Sequence, residues 1–122
     1  MKRVKKNDPV AMTQMGKKHC NEGVYGKALE YFYKAAELGD VAAHACLGDL
    51  YRSGDGVEKD DKKAIYHLEQ AAIGGHAEAR HNLAVYETKN GNFERAAKHL
   101  IIAANLGCEE SLQRVKELFI GG

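Results

Sequence analysis

A pattern that recurs at nearly constant intervals constrains this chain more than any other feature of its sequence. Ala28, Ala64 and Ala96 are separated by 36 and then 32 residues. The same two steps separate a second set of alanines and the glycines that follow them: Ala35, Ala71 and Ala103, and Gly39, Gly75 and Gly107. Self-similarity at this period is typical of solenoid arrays, in which each unit packs only against its neighbours.

Each repeated unit reads as two α-helices joined by a turn that contains glycine. In the second helix, each of Ala28, Ala64 and Ala96 is followed four residues later by a large apolar residue and seven residues later by alanine. These spacings define one face of a helix. The first helices carry an equivalent series, and we expect its members to face the partner helix: Met15, Leu47, Leu83 and Val115.

The helix boundaries follow from capping residues and glycines. Asp8 precedes Pro9, which suits the first helical position, and Asp60 is placed to cap a later helix. The first helix is expected to run from Pro9 until Gly23 ends it. The remaining predicted helices are Lys27–Leu38, Val41–Arg52, Asp61–Ile73, Ala77–Thr88, Phe93–Leu106 and Glu109–Phe119. The last helix has no second half, and we expect its apolar residues to close the stack: Leu112, Val115, Leu118 and Phe119.

The middle unit resembles a Sel-1-like repeat, a relative of the tetratricopeptide repeat. The matching residues are Ala43, Leu47-Gly48, Tyr51, Gly54, Gly56-Val57, Asp60, Lys63-Ala64, Ala71-Ala72 and Gly75. The outer units are more similar to the tetratricopeptide repeat, and the longer step is explained by a four-residue insertion in the loop from Ser53 to Asp60. The repeats and this resemblance predict an all-α fold, a right-handed α-solenoid of about three helix-turn-helix repeats plus a closing C-terminal helix.

We therefore expect a basic, flexible N-terminal arm over residues 1–7 and a single repeat domain over residues 8–122. Its repeats would span about 8–39, 40–75 and 76–107, with a half repeat at 108–122. The arm, with Lys2, Arg3, Lys5 and Lys6, is interpreted as a frayed, solvated terminus. A nuclear address or a nucleic-acid contact is the alternative. Whether the natural chain continues past Gly122 stays open.

Composition favours a cytoplasmic protein without a strong electrostatic preference. A net charge of +1 with 29% charged residues provides no global field toward nucleic acid or an anionic membrane. We find no apolar run long enough to span a bilayer and no secretory signal. The three cysteines lack the paired pattern of the cysteine-rich secreted members of the resembled family, which favours free thiols in a reducing compartment.

Candidate catalytic chemistry is sparse. The six histidines show no HExxH spacing and the cysteines no CxxC, so we expect no metal, no cofactor and no enzyme activity. His67 and His99 share a register with Tyr31, and packing or hydrogen bonding between helices is the favoured interpretation. Two alternatives stay open, namely a hydrolase of the cysteine-rich Sel-1-like type and a nucleic-acid binder that uses the basic arm.

The resemblance implies a non-catalytic protein–protein interaction module, an adaptor or scaffold that binds a peptide or protein in a concave groove. In tetratricopeptide-like proteins the flank of the first helices lines that groove. Carried onto this chain, the flank consists of Thr13, Lys17, Asn21, Ala45, Asp49, Arg52, Ser53, His81, Val85, Thr88, Lys89, Gln113 and Glu117. The alternative is that these are ordinary solvated helix residues. The apolar ends predict a monomer or a weak homodimer, and no small-molecule substrate is expected.

Overall fold

Seven α-helices and no strands make up the part of the chain that the structure describes. The computed structural model describes the backbone of residues 8–119 and the side chains of residues 8–117. The helices are α1 (Pro9–Asn21), α2 (Tyr25–Glu37), α3 (Val41–Ser53), α4 (Asp61–Ile73), α5 (Ala77–Lys89), α6 (Phe93–Asn105) and α7 (Glu109–Phe119). None of these helices combines the length and the apolar character needed to cross a membrane. The expected arm at residues 1–7 and the expected closing contacts of Leu118 and Phe119 lie outside the described residues.

The contacts of the chain fall into two compact units, with the division inside α4. The first unit ends at His67 and the second begins at Leu68. In the first unit α1 packs against α2, and α2 also contacts α3. In the second unit α5 packs against α6, and α6 also contacts α7. In both, the second helix of a hairpin therefore packs on the first helix of the next one.

Side chains and glycines set the helix ends largely as the sequence predicts. The Asp8 carboxylate accepts a hydrogen bond from the Val10 amide at 3.0 Å, and the Asp60 carboxylate accepts from the Lys63 amide at 3.1 Å. Helix α2 begins at Tyr25, two residues earlier than predicted. The reason is that the Val24 carbonyl already accepts the first helical hydrogen bond, from the Ala28 amide at 3.2 Å.

Each unit has a small apolar core in which a first helix meets the preceding hairpin. In the first unit Leu47 is fully buried and clusters with Ala28 and Phe32 of α2. In the second unit Val115 packs against a cluster that includes Ala96 and Leu100 of α6. The predicted inward position of the first helices therefore faces the hairpin before it.

Met15 is the exception among these inward residues, and its predicted burial is wrong. Its side chain is 38% exposed. Leu47, the equivalent residue of the next repeat, is covered by α2 of the preceding hairpin. Met15 lies on α1, which belongs to the first hairpin of the described chain, so no earlier hairpin among the described residues covers it. Periodicity identified the face correctly but did not identify the hairpin that would cover it.

Within the first hairpin, α1 and α2 approach closely at a glycine. A Cβ built on Gly16 would lie 2.5 Å from the Phe32 ring, which is closer than atoms in van der Waals contact can come. Phe32 is itself only 1% exposed and belongs to the core cluster, so the ring has little room to move. The absence of a side chain at Gly16 is therefore what allows the two helices to pack at this distance.

The inserted loop after α3 also depends on a close approach. Gly54 ends α3 in the left-handed conformation, with φ of 80°. Gly56 has φ of 72°, and a Cβ there would lie 2.1 Å from Cβ of Tyr25. Val57 packs against the core cluster, as the sequence suggested. The inserted loop is thus packed against the first hairpin at Tyr25, where α2 begins.

We predict opposite effects for two glycine-to-alanine changes in neighbouring helices. Gly16→Ala should lower the free energy of unfolding by about 1–3 kcal/mol, because its Cβ overpacks against Phe32. Gly26→Ala should be neutral or raise it by up to about 1 kcal/mol, because nothing lies within 4 Å of its Cβ and alanine favours the helix. Urea unfolding monitored by circular dichroism measures both. Equal effects of the two changes would contradict the close approach of α1 and α2.

Candidate functional site

A groove opens in the first unit between α1 and α3. Its walls carry Lys17, Cys20 and Asn21 from α1 and Cys46, Asp49 and Leu50 from α3. Phe32 of α2 reaches between these two helices to form the floor. This first groove has a volume of about 280 Å³.

A larger groove of about 790 Å³ opens in the second unit between α5 and α7. Leu100 of α6 lies at its floor, beside Ala84 of α5. The α5 wall carries His81, Val85, Thr88 and Lys89, and the α7 wall carries Glu109, Glu110, Gln113, Arg114 and Glu117. This second groove therefore combines an apolar floor with two polar walls.

The two grooves occupy equivalent positions in the repeat. Six of the seven residues that line the first groove have a counterpart in the second, one 36-residue and one 32-residue step later. The pairs are Lys17 and Val85, Cys20 and Thr88, Asn21 and Lys89, Phe32 and Leu100, Cys46 and Arg114, and Asp49 and Glu117. The repeat thus builds the same kind of groove twice. The floor is a large apolar side chain in both grooves, and the wall residues differ.

Most of the residues predicted for a binding face line one of these grooves. The first groove contains Lys17, Asn21 and Asp49, and the second contains His81, Val85, Thr88, Lys89, Gln113 and Glu117. Arg52 and Ser53 are exposed next to the first groove. The Arg52 guanidinium lies 3.6 Å from the Asp49 carboxylate, and the Ser53 hydroxyl donates to the Asp49 carbonyl at 2.9 Å.

Thr13 and Ala45 were predicted to lie on this exposed face, and that prediction is wrong. Thr13 is 2% exposed and Ala45 is 6% exposed. The Thr13 hydroxyl donates a hydrogen bond to the carboxylate of Asp40, which immediately precedes α3. The position two residues before the inward residue therefore turns toward the next first helix instead of toward the groove.

The prediction also omitted the residues that form the floors and part of the walls. Phe32 and Leu100 come from second helices, whereas the prediction considered the first helices alone. The omitted wall residues are Cys20, Cys46 and Leu50 in the first groove and Glu109, Glu110 and Arg114 in the second. The repeat register contained the signal, since Phe32 and Leu100 are equivalent and both follow an alanine by four residues.

The two thiols of the first groove are poor nucleophiles. Burial raises the pKa of Cys46 to about 11, although Lys17 acts in the opposite direction. Burial, and then the Asp55 carboxylate, raise the pKa of Cys20 above its ordinary value. Both thiols are therefore protonated at neutral pH, whereas the reactive form of cysteine is the thiolate.

His81 and Glu110, which line the second groove, lie next to a buried serine, Ser111. Nδ1 of His81 lies 2.8 Å from the Ser111 hydroxyl, and its Nε2 lies 3.6 Å from the Glu110 carboxylate. Such a set is reminiscent of a hydrolase triad, but Ser111 has no exposed surface. A nucleophile must reach its substrate, so this hydrogen bond is suited to holding α7 against α5.

A histidine pair lies outside the grooves, between α3 and α4. Nδ1 of His44 and Nδ1 of His67 are 3.1 Å apart, a distance at which one ring donates its proton to the other. Tyr51 stacks on His67 with ring centroids 5.9 Å apart, and the Tyr51 hydroxyl lies 2.5 Å from that of Tyr33. Burial, then His44 and Lys63, lower the pKa of His67 to about 4. The pair is therefore neutral at pH 7 and joins two helices.

Metal binding has no obvious location in the described residues. No group of three or more histidine, cysteine, aspartate or glutamate side chains there is arranged to hold an ion. His99, like His67, makes a contact between helices, because its Nδ1 lies 3.3 Å from a guanidinium nitrogen of Arg80. The interpretation of both histidines as packing and hydrogen-bonding residues is therefore confirmed.

The helical hairpins, their two-step period and the equivalent grooves define a helical-repeat protein. A model of the Sel1 repeat matches the chain three times, at residues 9–40, 41–76 and 77–108. The chain belongs to the Sel1 repeat family. The predicted all-α repeat fold and the resemblance noted from the sequence are thereby confirmed. Members of this family typically mediate protein–protein interactions.

Similar proteins support this assignment. A Sel1 repeat protein from Oxalobacter formigenes superposes with a TM-score of 0.80 at 28% identity, over 91% of this chain and 90% of that one. The antigen c5321 of uropathogenic Escherichia coli, which displays an SLR fold, gives a TM-score of 0.80 at 27% identity over 96% of this chain and 27% of that one. Chitin synthase regulatory factor 4 of Schizosaccharomyces pombe is 30% identical over 106 residues. The chain spans only 17% of that relative's length.

We predict that stability falls as the pH is lowered from about 6.5 toward 4, because of His67. The unfolded chain binds a proton near the ordinary histidine pKa of 6.5, whereas the folded chain does so only near 4. Between these values protons favour the unfolded state, by at most about 1.4 kcal/mol per pH unit for one such group.

Urea unfolding at about pH 7 and about pH 5 tests this expectation. His67→Phe retains an aromatic ring against Tyr51 and removes the titrating group, so the variant should lose less stability than the wild type between the two pH values. Burial also lowers the pKa of His44, so a smaller dependence should remain. Identical losses in variant and wild type would contradict the role of His67.

Proposed function

We propose that the chain is a non-catalytic adaptor that holds an extended segment of a partner protein in the first and second grooves. The observation that carries this proposal is their equivalence. Two depressions with matched floors suit a ligand that presents similar features more than once. Unstructured peptide segments have this property, because their backbone is uniform and their side chains recur at regular spacing.

The chemistry of the grooves supports a mixed polar and apolar segment. Phe32 and Leu100 offer apolar floors for an aliphatic or aromatic side chain. Lys17 in the first groove and Lys89 in the second are exposed cations on the wall from the earlier helix. Asp49 and Glu117 place a carboxylate on the opposite wall of each. A bound segment would then direct its hydrogen-bond acceptors toward the lysine wall and its donors toward the carboxylate wall.

The relatives are compatible with such a role. The name of the Schizosaccharomyces pombe protein describes a regulatory factor, and regulation by binding requires a surface, not a reactive group. The protonated thiols and the buried Ser111 hydroxyl are in keeping with binding in preference to catalysis. Three free cysteines among the described residues suit a reducing compartment such as the cytoplasm.

We predict that charge reversal in the grooves weakens partner binding while the same reversal elsewhere does not. The groove variant carries Lys17→Glu and Lys89→Glu. The matched control carries Lys62→Glu and Lys98→Glu, two exposed lysines on second helices that line neither groove. Both change the net charge equally, and exposed charges contribute little to stability.

The measurement uses a partner captured by the purified chain and its titration against both variants by calorimetry. The groove variant should bind at least about tenfold more weakly and the control within about threefold of the wild type. Circular dichroism melting curves should be alike for all three proteins. If the control loses as much affinity as the groove variant, the partner does not bind in the grooves. The single variants then show whether both grooves contribute, because two linked contacts bind more tightly than either alone.

A further inference from the structure

In each hairpin, one face of the first helix is covered by the second helix of the same hairpin. In the third hairpin a guanidinium nitrogen of Arg80 lies 3.3 Å from His99 of α6, and Ala84, four residues later, packs against Ala96 of α6. In the second hairpin His44, the equivalent of Arg80, contacts His67 of α4. These positions therefore mark the face that a second helix covers.

On α7 the equivalent positions are Leu112 and Lys116, and both are exposed. The Leu112 side chain is 44% exposed. Its equivalents His44 and Arg80 contact the second helix of their own hairpin. No such helix follows α7 among the described residues, so Leu112 is exposed. This face of α7 thus presents an apolar side chain beside a cation to solvent.

Lys116 shows that this face is not built for a further second helix of the same type. Its equivalents in the earlier first helices are Gly16, Gly48 and Ala84, all small and buried. At Gly16 not even a Cβ fits against the partner helix. A lysine at this position excludes that close approach, so an occupant of this face must pack at a greater distance and satisfy the ammonium group.

The same face contains an acid at its other end. Glu109, Leu112 and Lys116 follow one another at spacings of three and four residues, which places them along one side of the helix. All three are exposed. The order along the helix is acid, apolar residue, base. If a second helix with the same order lies antiparallel to this one, its base faces the acid of the first helix and its acid faces the base.

We propose that this face of α7, formed by Glu109, Leu112 and Lys116, docks against the same face of a second copy of the chain, with the two helices antiparallel. Glu109 of each copy then pairs with Lys116 of the other, and the Leu112 side chains meet at the centre. A two-fold contact of this kind is self-complementary and closes at two copies.

The small size of the face predicts a weak dimer. Helix α7 has 11 residues, so the contact buries less than the roughly 1,200 Å² of a small specific interface. Dissociation in the range of about 10 μM to 1 mM is expected at low salt, and higher salt should weaken it because the ion pairs are exposed. Leu112 and Lys116 line neither groove, whereas Glu109 also lies on the α7 wall of the second groove.

Charge swaps test the antiparallel pairing by sedimentation equilibrium of the full chain. Glu109→Lys alone places lysine against lysine, and Lys116→Glu alone places glutamate against glutamate. Each should raise the dimer dissociation constant by about tenfold or more. The double swap restores opposite charges in both pairs and should return dissociation to within about threefold of the wild type.

A mixture of the two single variants gives the sharpest result. Each copy of one variant then faces its charge complement on the other, so the mixture should associate although neither variant does alone. Lys62→Glu serves as the control for a change in net charge and should dimerise as the wild type does. Circular dichroism verifies that α7 remains folded in every variant.

Several outcomes would overturn the proposal. They are a wild-type chain that stays monomeric at about 1 mM, single variants that dimerise normally, and a mixture that fails to associate. Growth beyond two copies would also overturn it, since a two-fold contact cannot propagate.

Discussion

The close approach of the two helices within a hairpin is the contact on which the rest of the structure depends. At Gly16 no side chain separates α1 from the ring of Phe32, and Ala84 occupies the same register against α6. Because the helices come so near, a large side chain on the second helix reaches past the first one. Phe32 and Leu100 are therefore core residues and groove floors at once. Folding and surface shape are produced by the same contact.

Much of this architecture could be predicted from the sequence, because it is local or periodic. The helices, the caps at Asp8 and Asp60, and the inward position of Leu47 depend on spacing and on residue type along a single helix. Met15 and Thr13 depend on which neighbouring helix is present and how near it lies. Helical periodicity assigns a residue to a face but does not say what covers that face, and this is why the predicted binding row included buried positions and missed the floors.

Polar contacts between helices account for several of the six histidines. His44 with His67 and His81 with Ser111 each join two different helices, and Thr13 joins α1 to Asp40, the residue immediately before α3. Small apolar faces alone would allow helices to slide past one another with little change in energy. A partly buried hydrogen bond tolerates no such shift, since displacement leaves a polar group without its partner. The histidines thus set register in a core that is otherwise made largely of alanine.

The equivalence of the two grooves has a consequence for how such a chain can change over time. The floor position is tied to the core, so substitution there carries a folding cost, whereas wall positions such as Lys17 and Val85 lie in solvent on a rigid helix. Point mutations can therefore rewrite the chemistry of one groove without disturbing its floor or the other groove. A repeat array of this kind separates the residues that maintain the fold from the residues that determine what each groove binds. Duplication of a hairpin adds a further groove and leaves the existing grooves as they are.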